Sequence, residues 1–414
     1  MTPQKKVLVL GAGVAGCSLA YFLGQKGYTV TVIEKDPFVG GLARTRYYAG
    51  HPYEFGPHIW FWPHDDINNV VRELCDDELL YIDRRLFSYI EKDDSLYRYP
   101  VHYEDVQKMP DRDAILLQLP ANRDARLKII EEKLPQLGEC SFEDYFTAAL
   151  GKNLYEKFMA QYTWKMWGIP GNELQTSMVW ADRIKDAYSK LRGYDPLKFE
   201  DTTLGKGLAF QVYPKKGWNH LWHRMVENAD LRLGTAVHGI RQDAKGWHVA
   251  AGHDTFRFAD YHAVISTLDI DRLWGENTLP YTGRIMVPLL LKQVEWAFPG
   301  GAESIHYSGN EFQTRVTEMK RITQYQSPDS LILIEIPILH TAETAFPSNV
   351  MTTDHFCAKA YPQQSPAAFA KYDEYVDRGK GIGNLFQCGR HAQFKYWGMP
   401  ETVNAAYQLV KTTF

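Results

Sequence analysis

The chain opens with a short apolar run, a cluster of glycines and then apolar positions at helical spacing. Residues 6–10 read KVLVL, residues 11–16 read GAGVAG, and CSLAYFLGQKG follows at 17–27. A second strand-like run, YTVTVIE, ends at Glu34. A strand, a glycine turn, a helix and a second strand in this order predict the βαβ unit of a Rossmann-type fold.

The spacing of the glycines indicates what such a turn can bind. Gly11 permits a tight turn, Gly13 lets the backbone approach a pyrophosphate, and Gly16 lets the helix pack closely on the sheet. Glu34, about twenty residues farther on, is placed to accept hydrogen bonds from a ribose diol. The stretch GGLARTR at 40–46 repeats the glycine theme where flavoproteins bring a second backbone segment to the cofactor, so FAD is favoured over NAD. Either segment taken alone is also compatible with a turn that binds no ligand.

Helical and strand-like patterns alternate in blocks along the rest of the chain. Residues 104–165 show mainly helical periodicity, whereas 231–266 and 285–340 alternate as strands do. The glycine-bounded segment 168–194 fits either a mobile cover or a plain surface helix. We predict an α/β fold with a Rossmann-type FAD-binding domain, a helical lobe and an antiparallel-sheet substrate domain. The expected boundaries are 1–70, 205–270 and 375–414 for the FAD-binding domain, 104–170 for the helical domain, and 71–103, 171–204 and 271–374 for the substrate-binding sheet and lid.

The composition narrows the classes of function. At 414 residues the chain is long enough for two or three lobes, and 45% hydrophobic with 23% charged residues is typical of a soluble globular protein. The net charge of -4 and the lack of a Lys/Arg block argue against a nucleic-acid partner. No apolar run approaches the ~20 residues of a membrane span. The five scattered cysteines form no CxxC pair, which favours a cytoplasmic protein with reduced thiols and no metal site.

Five strings together carry a family resemblance. In chain order they are GAGVAG (11–16), EFGPHIW (54–60), YTWKMWGIPGNEL (162–174), TRVTEMK (314–320) and GRHAQFKYWGM (389–399). The chain resembles the UDP-galactopyranose mutase family, flavoenzymes that interconvert pyranose and furanose forms of nucleotide-linked sugars. The first string is generic to flavoproteins, whereas the middle and last strings are more specific.

The resemblance implies roles for particular residues. His58 matches a histidine beside the isoalloxazine ring, Tyr162 and Trp167 match residues that frame the sugar cleft, and Arg315 and Tyr396 match contacts to the diphosphate. Taken alone, a histidine at a strand end such as His58 is more often a structural hydrogen bonder. The expected cofactor contacts beyond the first turn are Gly41, Leu42, Val237, Gly389, Arg390 and Met399. The implied reaction is non-redox and uses N5 of reduced FAD as the nucleophile, after reduction by NAD(P)H or another reductant.

Several positions depart from the family pattern. Phe61 stands where a second histidine is usual, and Gly398 stands where the family has an acid. The lid motif RIPVR becomes RIKDA at 183–187, which leaves Arg183 or Lys185 as the substitute for a diphosphate arginine. The family's EYP becomes Glu335-Ile336-Pro337, without the tyrosine. These changes favour a nucleotide-diphosphate sugar other than UDP-galactopyranose and do not identify it.

Two other classes of function stay open at this point. An FAD-dependent oxidoreductase or desaturase of the amine-oxidase type would share the glycine turn, Glu34 and the GG segment. A flavin-binding protein without catalysis would share them too. The sequence leaves a homodimer open, because interface composition cannot be separated from surface composition in one chain.

Overall fold

A computed structural model describes residues 5–61, 65–119, 141–174, 211–340 and 354–414, together with residues 128 and 132 and, at 197–198 and 339–340, the backbone alone. The strands are β1 (Lys6–Leu10), β2 (Thr29–Ile33), β3 (Arg46–Tyr48), β4 (His51–Tyr53), β5 (Trp60–Phe61), β6 (Leu79–Tyr81), β7 (Leu86–Ile90), β8 (Ser95–Tyr99), β9 (Val101–His102), β10 (Leu197–Lys198), β11 (Gln211–Pro214), β12 (Asp230–Arg232), β13 (Val237–Asp243), β14 (Gly246–Ala251), β15 (Asp254–Arg257), β16 (Ala263–Ser266), β17 (Tyr281–Leu291), β18 (Ser304–Tyr307), β19 (Arg315–Glu318), β20 (Ser330–His340), β21 (Phe356–Pro362) and β22 (Leu385–Gln387). The α-helices are α1 (Val14–Gln25), α2 (Asp65–Leu74), α3 (Tyr103–Val106), α4 (Arg112–Gln118), α5 (Phe142–Leu150), α6 (Lys152–Tyr155), α7 (Gln161–Trp167), α8 (Trp218–Val226), α9 (Ile270–Leu273), α10 (Lys320–Thr323), α11 (Pro366–Gly379) and α12 (Met399–Thr413).

The apolar run at the start of the chain is the centre of a parallel sheet. Its strand order is β12-β2-β1-β16-β22, and every neighbouring pair is parallel. Side chains alternate between the two faces of β1. Val7 and Val9 pack into the core that contains α1, α8 and α12, while Leu8 and Leu10 pack against the small sheet β13-β14-β15. A strand covered on both faces must be apolar throughout, which explains the unbroken run.

The strand-like blocks of the second half form a larger sheet. Its order is β21-β17-β20-β19-β18-β7-β8. The predicted antiparallel pairing is present at β17 with β20, at β19 with β20 and at β18 with β19. The sheet departs from the prediction at one place, because β18 pairs with β7 in parallel. The hairpin of β7 and β8 joins through β18 to strands more than 200 residues away, so the seven-stranded sheet is mixed.

The predicted helical block forms a separate packed cluster. Ser141 caps α5: its hydroxyl oxygen accepts from the backbone N–H of Asp144, whose carboxylate accepts in turn from the Ser141 backbone, as in a capping box. Apolar side chains from α5, α6 and α7 pack with residues of β7, β8 and β9. Gly168 ends α7 in the left-handed conformation with φ of 70°. The helices therefore sit against the edge of the large sheet and hold α7 over its face.

Cys17, Cys75, Cys357 and Cys388 are buried and form no disulfide within the described ranges, and Cys140 lies outside those ranges. Within the described ranges, none of the helices has both the length and the apolar character needed to cross a bilayer. Most of the segment predicted as a mobile cover, from 175 to 194, also lies outside the described residues.

Candidate active site

The glycine turn after β1 leaves open space in front of α1. Gly11 has φ of 99°, and its N–H donates to the Ile33 carbonyl at 2.7 Å. A Cβ on Gly16 would lie 1.8 Å from the Gly11 carbonyl oxygen, so only glycine lets the helix approach this closely. A Cβ on Gly13 would meet no atom within 4 Å, and no side chain caps the helix there. The uncapped N–H groups therefore face room for a pyrophosphate.

Glu34 binds back to this turn. Its Oε2 accepts from the Ala12 N–H at 2.7 Å, and its Oε1 accepts from the Asp36 N–H at 2.9 Å. Burial raises the pKa of this carboxyl, and the two backbone donors oppose that shift. The Glu34 carbonyl accepts from the Thr235 N–H at 2.8 Å, which brings the start of β13 at Val237 to the same side of the sheet. Contact of Glu34 with a ribose stays a prediction.

The GG segment lies directly against the first turn. The Gly40 N–H donates to the Ala12 carbonyl at 2.8 Å, and Gly13 and Gly40 form a parallel bridge. Gly41 and Leu42 lie in a short 3-10 helix, and a Cβ on Gly41 would be 3.2 Å from the Gly13 Cα. The structure thus brings together the two glycine-rich segments that the sequence predicts to share one cofactor.

The C-terminal segment returns to the same place. Gly389 has φ of 106°, and a Cβ there would lie 2.7 Å from the Ala15 Cβ in the first turn of α1. Arg390 donates from Nη1 to the Ala360 carbonyl at 2.9 Å. Met399 is buried where α12 begins, after the N-cap residue Gly398. Gly389 therefore lies against the first turn of α1, directly before Arg390 in the chain.

His58 lies in the loop between β4 and β5. The indole N–H of Trp218, at the start of α8, donates to the His58 carbonyl at 2.8 Å and so holds the loop in place. The Nδ1 atom of His58 is buried and has no hydrogen-bond partner within the described parts of the chain. Burial, followed by the charges of Arg390 and Arg46, lowers the pKa of His58 to about 3. The imidazole is therefore neutral at physiological pH and can serve as a hydrogen-bonding group, not as a cation.

Arg315 pairs with Glu335, the acid of the Glu335-Ile336-Pro337 segment. Its Nη2 pairs with Oε2 of Glu335, while Nε of Arg284 donates to Oε1 of the same carboxylate at 2.9 Å. Burial raises the pKa of Glu335, but the two guanidinium groups outweigh this and the pKa lies below its ordinary value. One carboxylate shared by two arginines leaves one unit of positive charge. Arg315 Nε has no partner among the described residues, so the guanidinium keeps a donor for an anion.

The His58 loop touches this ion pair. Gly56 has φ of 96°, and a Cβ there would be 3.1 Å from Arg315 Nη2 and 3.6 Å from Glu335 Oε2. Glycine at this position lets the loop close over the sheet. The contact joins the cofactor side of the molecule to the cationic group of the large sheet.

A group of aromatic rings lies next to Arg284 and Arg390. Trp167 packs edge-on against Tyr396 with ring centroids 5.0 Å apart, and Tyr361 lies 5.5 Å from Tyr396. Arg284 and Arg390 lie over the Tyr361 ring at 4.9 and 5.0 Å. Burial raises the pKa of the Tyr162 hydroxyl, the charge of Arg315 opposes this shift and Tyr396 adds to it, so Tyr162 lies near both residues. The predicted Tyr162, Trp167, Arg315 and Tyr396 thus share one site, whereas Arg183 and Lys185 lie outside the described residues.

Comparison with known proteins identifies the family of this chain. Residues 14–281, well over half of the chain, match the family of flavin containing amine oxidoreductases. The chain belongs to this family.

Over nearly its full length the chain is similar to sugar mutases. It is 21% identical to the probable UDP-galactopyranose mutase of Klebsiella pneumoniae, over 97% of this chain and 93% of that protein. It is 22% identical to the dTDP-fucopyranose mutase of Escherichia coli, over 98% and 97%. A crystal structure of reduced UDP-galactopyranose mutase superimposes with a TM-score of 0.74 at 16% identity, over 99% and 93% of the two chains. The predicted resemblance and fold class are confirmed.

Sequence reasoning missed three residues of this site. Arg284, Tyr361 and His306 lie on strands β17, β21 and β18 and looked like ordinary alternating positions. The signal that could have found Arg284 is a charged residue within the apolar strand YTGRIMVPLLL, where the structure buries it. Its partner could not be read from the sequence, because Glu335 is 51 residues away.

Proposed function

We propose that this protein is an FAD-dependent nucleotide-sugar mutase that interconverts pyranose and furanose forms with no net redox change. The observation that carries the proposal is the shared Glu335 carboxylate, which holds Arg315 and Arg284 together beside the aromatic site and under the His58 loop. The mutase relatives over nearly the full chain support the same conclusion.

The residues of the first turn fit the diphosphate of FAD. Gly13 offers open space, the uncapped N-terminus of α1 offers N–H donors, and Gly41 and Gly389 bring two further segments to it. When bound and reduced, FAD would supply a nucleophilic ring nitrogen for the anomeric carbon. Every other task falls to side chains of this chain.

Arg315 would bind the diphosphate of the substrate and stabilise it as it leaves. The guanidinium is fixed in place by Glu335, so its charge is oriented before the reaction begins. Trp167 and Tyr396 are packed against each other and would form a wall that orients the sugar and excludes water. His58 would stay neutral beside the ring system and position it by hydrogen bonding.

The substrate class is a nucleotide-diphosphate sugar other than UDP-galactopyranose. Phe61 and Gly398 remove a histidine and an acid from the family pattern, and Ile336 removes a tyrosine. These losses change the contacts to the sugar while the two arginines on Glu335 remain. The two mutase relatives are named for UDP- and dTDP-linked sugars and are almost equally similar to this chain, so both nucleotides belong in the test.

The direct test is ring-size isomerisation by the reduced protein. Dithionite-reduced holoprotein is incubated anaerobically with a panel of UDP-, dTDP- and GDP-linked hexoses and deoxyhexoses, and products are separated by chromatography and assigned by NMR. We expect many turnovers per flavin in the reduced state and none in the oxidised state. Stoichiometric flavin reduction by an amine or another donor, with oxygen consumption and no isomer, would instead show the redox chemistry of the wider family.

Arg315→Ala tests the residue on which the proposal depends. We expect turnover to fall by orders of magnitude while the flavin stays bound, because the glycine turns are untouched. Arg257→Ala is the matched control, since Arg257 pairs with Asp243 on the separate small sheet. Near-normal turnover by Arg315→Ala would remove this residue from the mechanism.

A further inference from the structure

His306 belongs to a row of side chains that crosses the large sheet. It is paired with Arg315 in the register of β18 and β19, and Arg315 is paired with Glu335 in the register of β19 and β20. Residues directly opposite each other on neighbouring strands point to the same face. The imidazole of His306 therefore lies on the face that carries the two arginines and their shared carboxylate.

The imidazole is enclosed by aromatic rings. Its centroid lies 4.8 Å from the ring of Tyr99 and 5.4 Å from the ring of Tyr162, which the family resemblance assigns to the sugar cleft. His306 is only 9% exposed. Within the described part of the chain, neither ring nitrogen makes a hydrogen bond, and unlike Nδ1 of His58 neither is among the fully enclosed polar atoms without a partner, so both stay accessible. Buried polar side chains are normally hydrogen-bonded, so this one has capacity for a ligand.

Burial and neighbouring charges keep His306 neutral. Burial, followed by the charges of Arg315 and Arg84, lowers its pKa to about 3 against the opposing effect of Glu335. A neutral imidazole offers one N–H donor and one acceptor. It can therefore donate to an oxygen held by Arg315 without placing a second cation beside that guanidinium.

We propose that His306 is a substrate-binding residue, and that its ring N–H donates to a phosphate oxygen of the nucleoside diphosphate group beside Arg315. This inference rests on the proposed function and adds a second donor to the same anion. The donor comes from the neighbouring strand, so the phosphate would be held by two groups fixed by the sheet register. Tyr162 and Tyr99 would hold the imidazole plane in place.

The test separates binding from turnover. Binding of UDP, dTDP and GDP to the oxidised holoprotein is measured by calorimetry for the unaltered chain and for His306→Phe, which keeps a flat ring without the N–H. We expect Kd to rise by about tenfold or more for the nucleotide that binds best, as for a lost hydrogen bond to a charged group. The same variant should raise KM with kcat within about twofold, because the contact exists before and during reaction.

Rescue and control variants complete the design. His306→Asn and His306→Gln each retain a neutral N–H donor, and one of them should recover most of the affinity. His306→Leu replaces the phenylalanine variant if that protein does not retain flavin. His51→Phe is the control, because His51 is another buried histidine, placed on β4 and packed against Tyr325.

Each outcome decides a different question. Nucleoside diphosphate binding within twofold of normal by a flavin-loaded His306→Phe or His306→Leu variant would overturn the role of His306 alone. Absence of binding by the unaltered protein would overturn the proposed function together with this inference. A loss of affinity that neither the asparagine nor the glutamine variant recovers would also count against a hydrogen bond as its cause.

Discussion

Glu54 gives the sharpest quantitative prediction for stability. This carboxyl lies two residues before Gly56 in the loop that carries His58, and it is fully buried. Its Oε1 accepts from the Tyr213 hydroxyl at 2.5 Å and from the Thr45 hydroxyl at 3.0 Å, while Oε2 has no partner in the described part of the chain. Burial raises the pKa of Glu54 from 4.5 to about 7, against the effect of these two donors.

The sign and size of the effect follow from this shift. Between pH 4.5 and about 7 the unfolded chain ionises at Glu54 while the folded chain keeps the proton, so stability falls as the pH rises. Above this window the loss is constant. At 1.36 kcal/mol per pKa unit, the full cost is about 3 kcal/mol. Below pH 4.5 both states are protonated at Glu54 and the contribution vanishes.

Glu54→Gln should remove this pH dependence. The glutamine keeps an oxygen for Tyr213 and Thr45 and cannot ionise, so it imitates the protonated acid. We expect the variant to be more stable than the unaltered protein by about 3 kcal/mol at pH 8.5 and by under about 1 kcal/mol at pH 5. Unfolding in urea, followed by circular dichroism and flavin release at both pH values, measures the difference.

Glu73→Gln is the matched control, because Glu73 is exposed on α2. Its effect on the free energy of unfolding should be the same at pH 5 and at pH 8.5. The reasoning is refuted if Glu54→Gln and the unaltered protein show the same change in unfolding midpoint between pH 5 and pH 8.5. A variant that is less stable at pH 8.5 would refute it as well.

Two further predictions concern the glycine turn and the shared carboxylate. Gly16→Ala should abolish flavin binding, because the new methyl group would lie 1.8 Å from the Gly11 carbonyl oxygen. Gly24→Ala on the same helix is the control and should retain flavin, because a methyl group there meets no atom within 4 Å. The flavin-to-protein absorbance ratio of the purified variants distinguishes the two outcomes. Glu335→Gln should destabilise the protein by about 3–5 kcal/mol, because the buried Arg284 and the largely buried Arg315 lose their counter-charge. Urea unfolding checks this change, with an unaltered midpoint as the contrary result.

The sequence by itself determined the cofactor side of this protein. A tight glycine turn and a close helix approach depend on local steric conditions, so Gly11 and Gly16 could be interpreted from their spacing alone. The unbroken apolar run of β1 likewise predicted a strand covered on both faces. Family strings then located His58, Tyr162, Trp167, Arg315 and Tyr396, and the structure places them in one region.

Only the tertiary structure decided how the substrate side is charged. Glu335 lies 20 residues from Arg315 and 51 from Arg284, and nothing in the local pattern of either strand indicates that one carboxylate serves both arginines. The place of His306 beside Arg315 likewise depends on the register of β18 and β19. A shift of one residue in that register would turn the imidazole to the other face of the sheet, and register is set by the packing of the whole sheet.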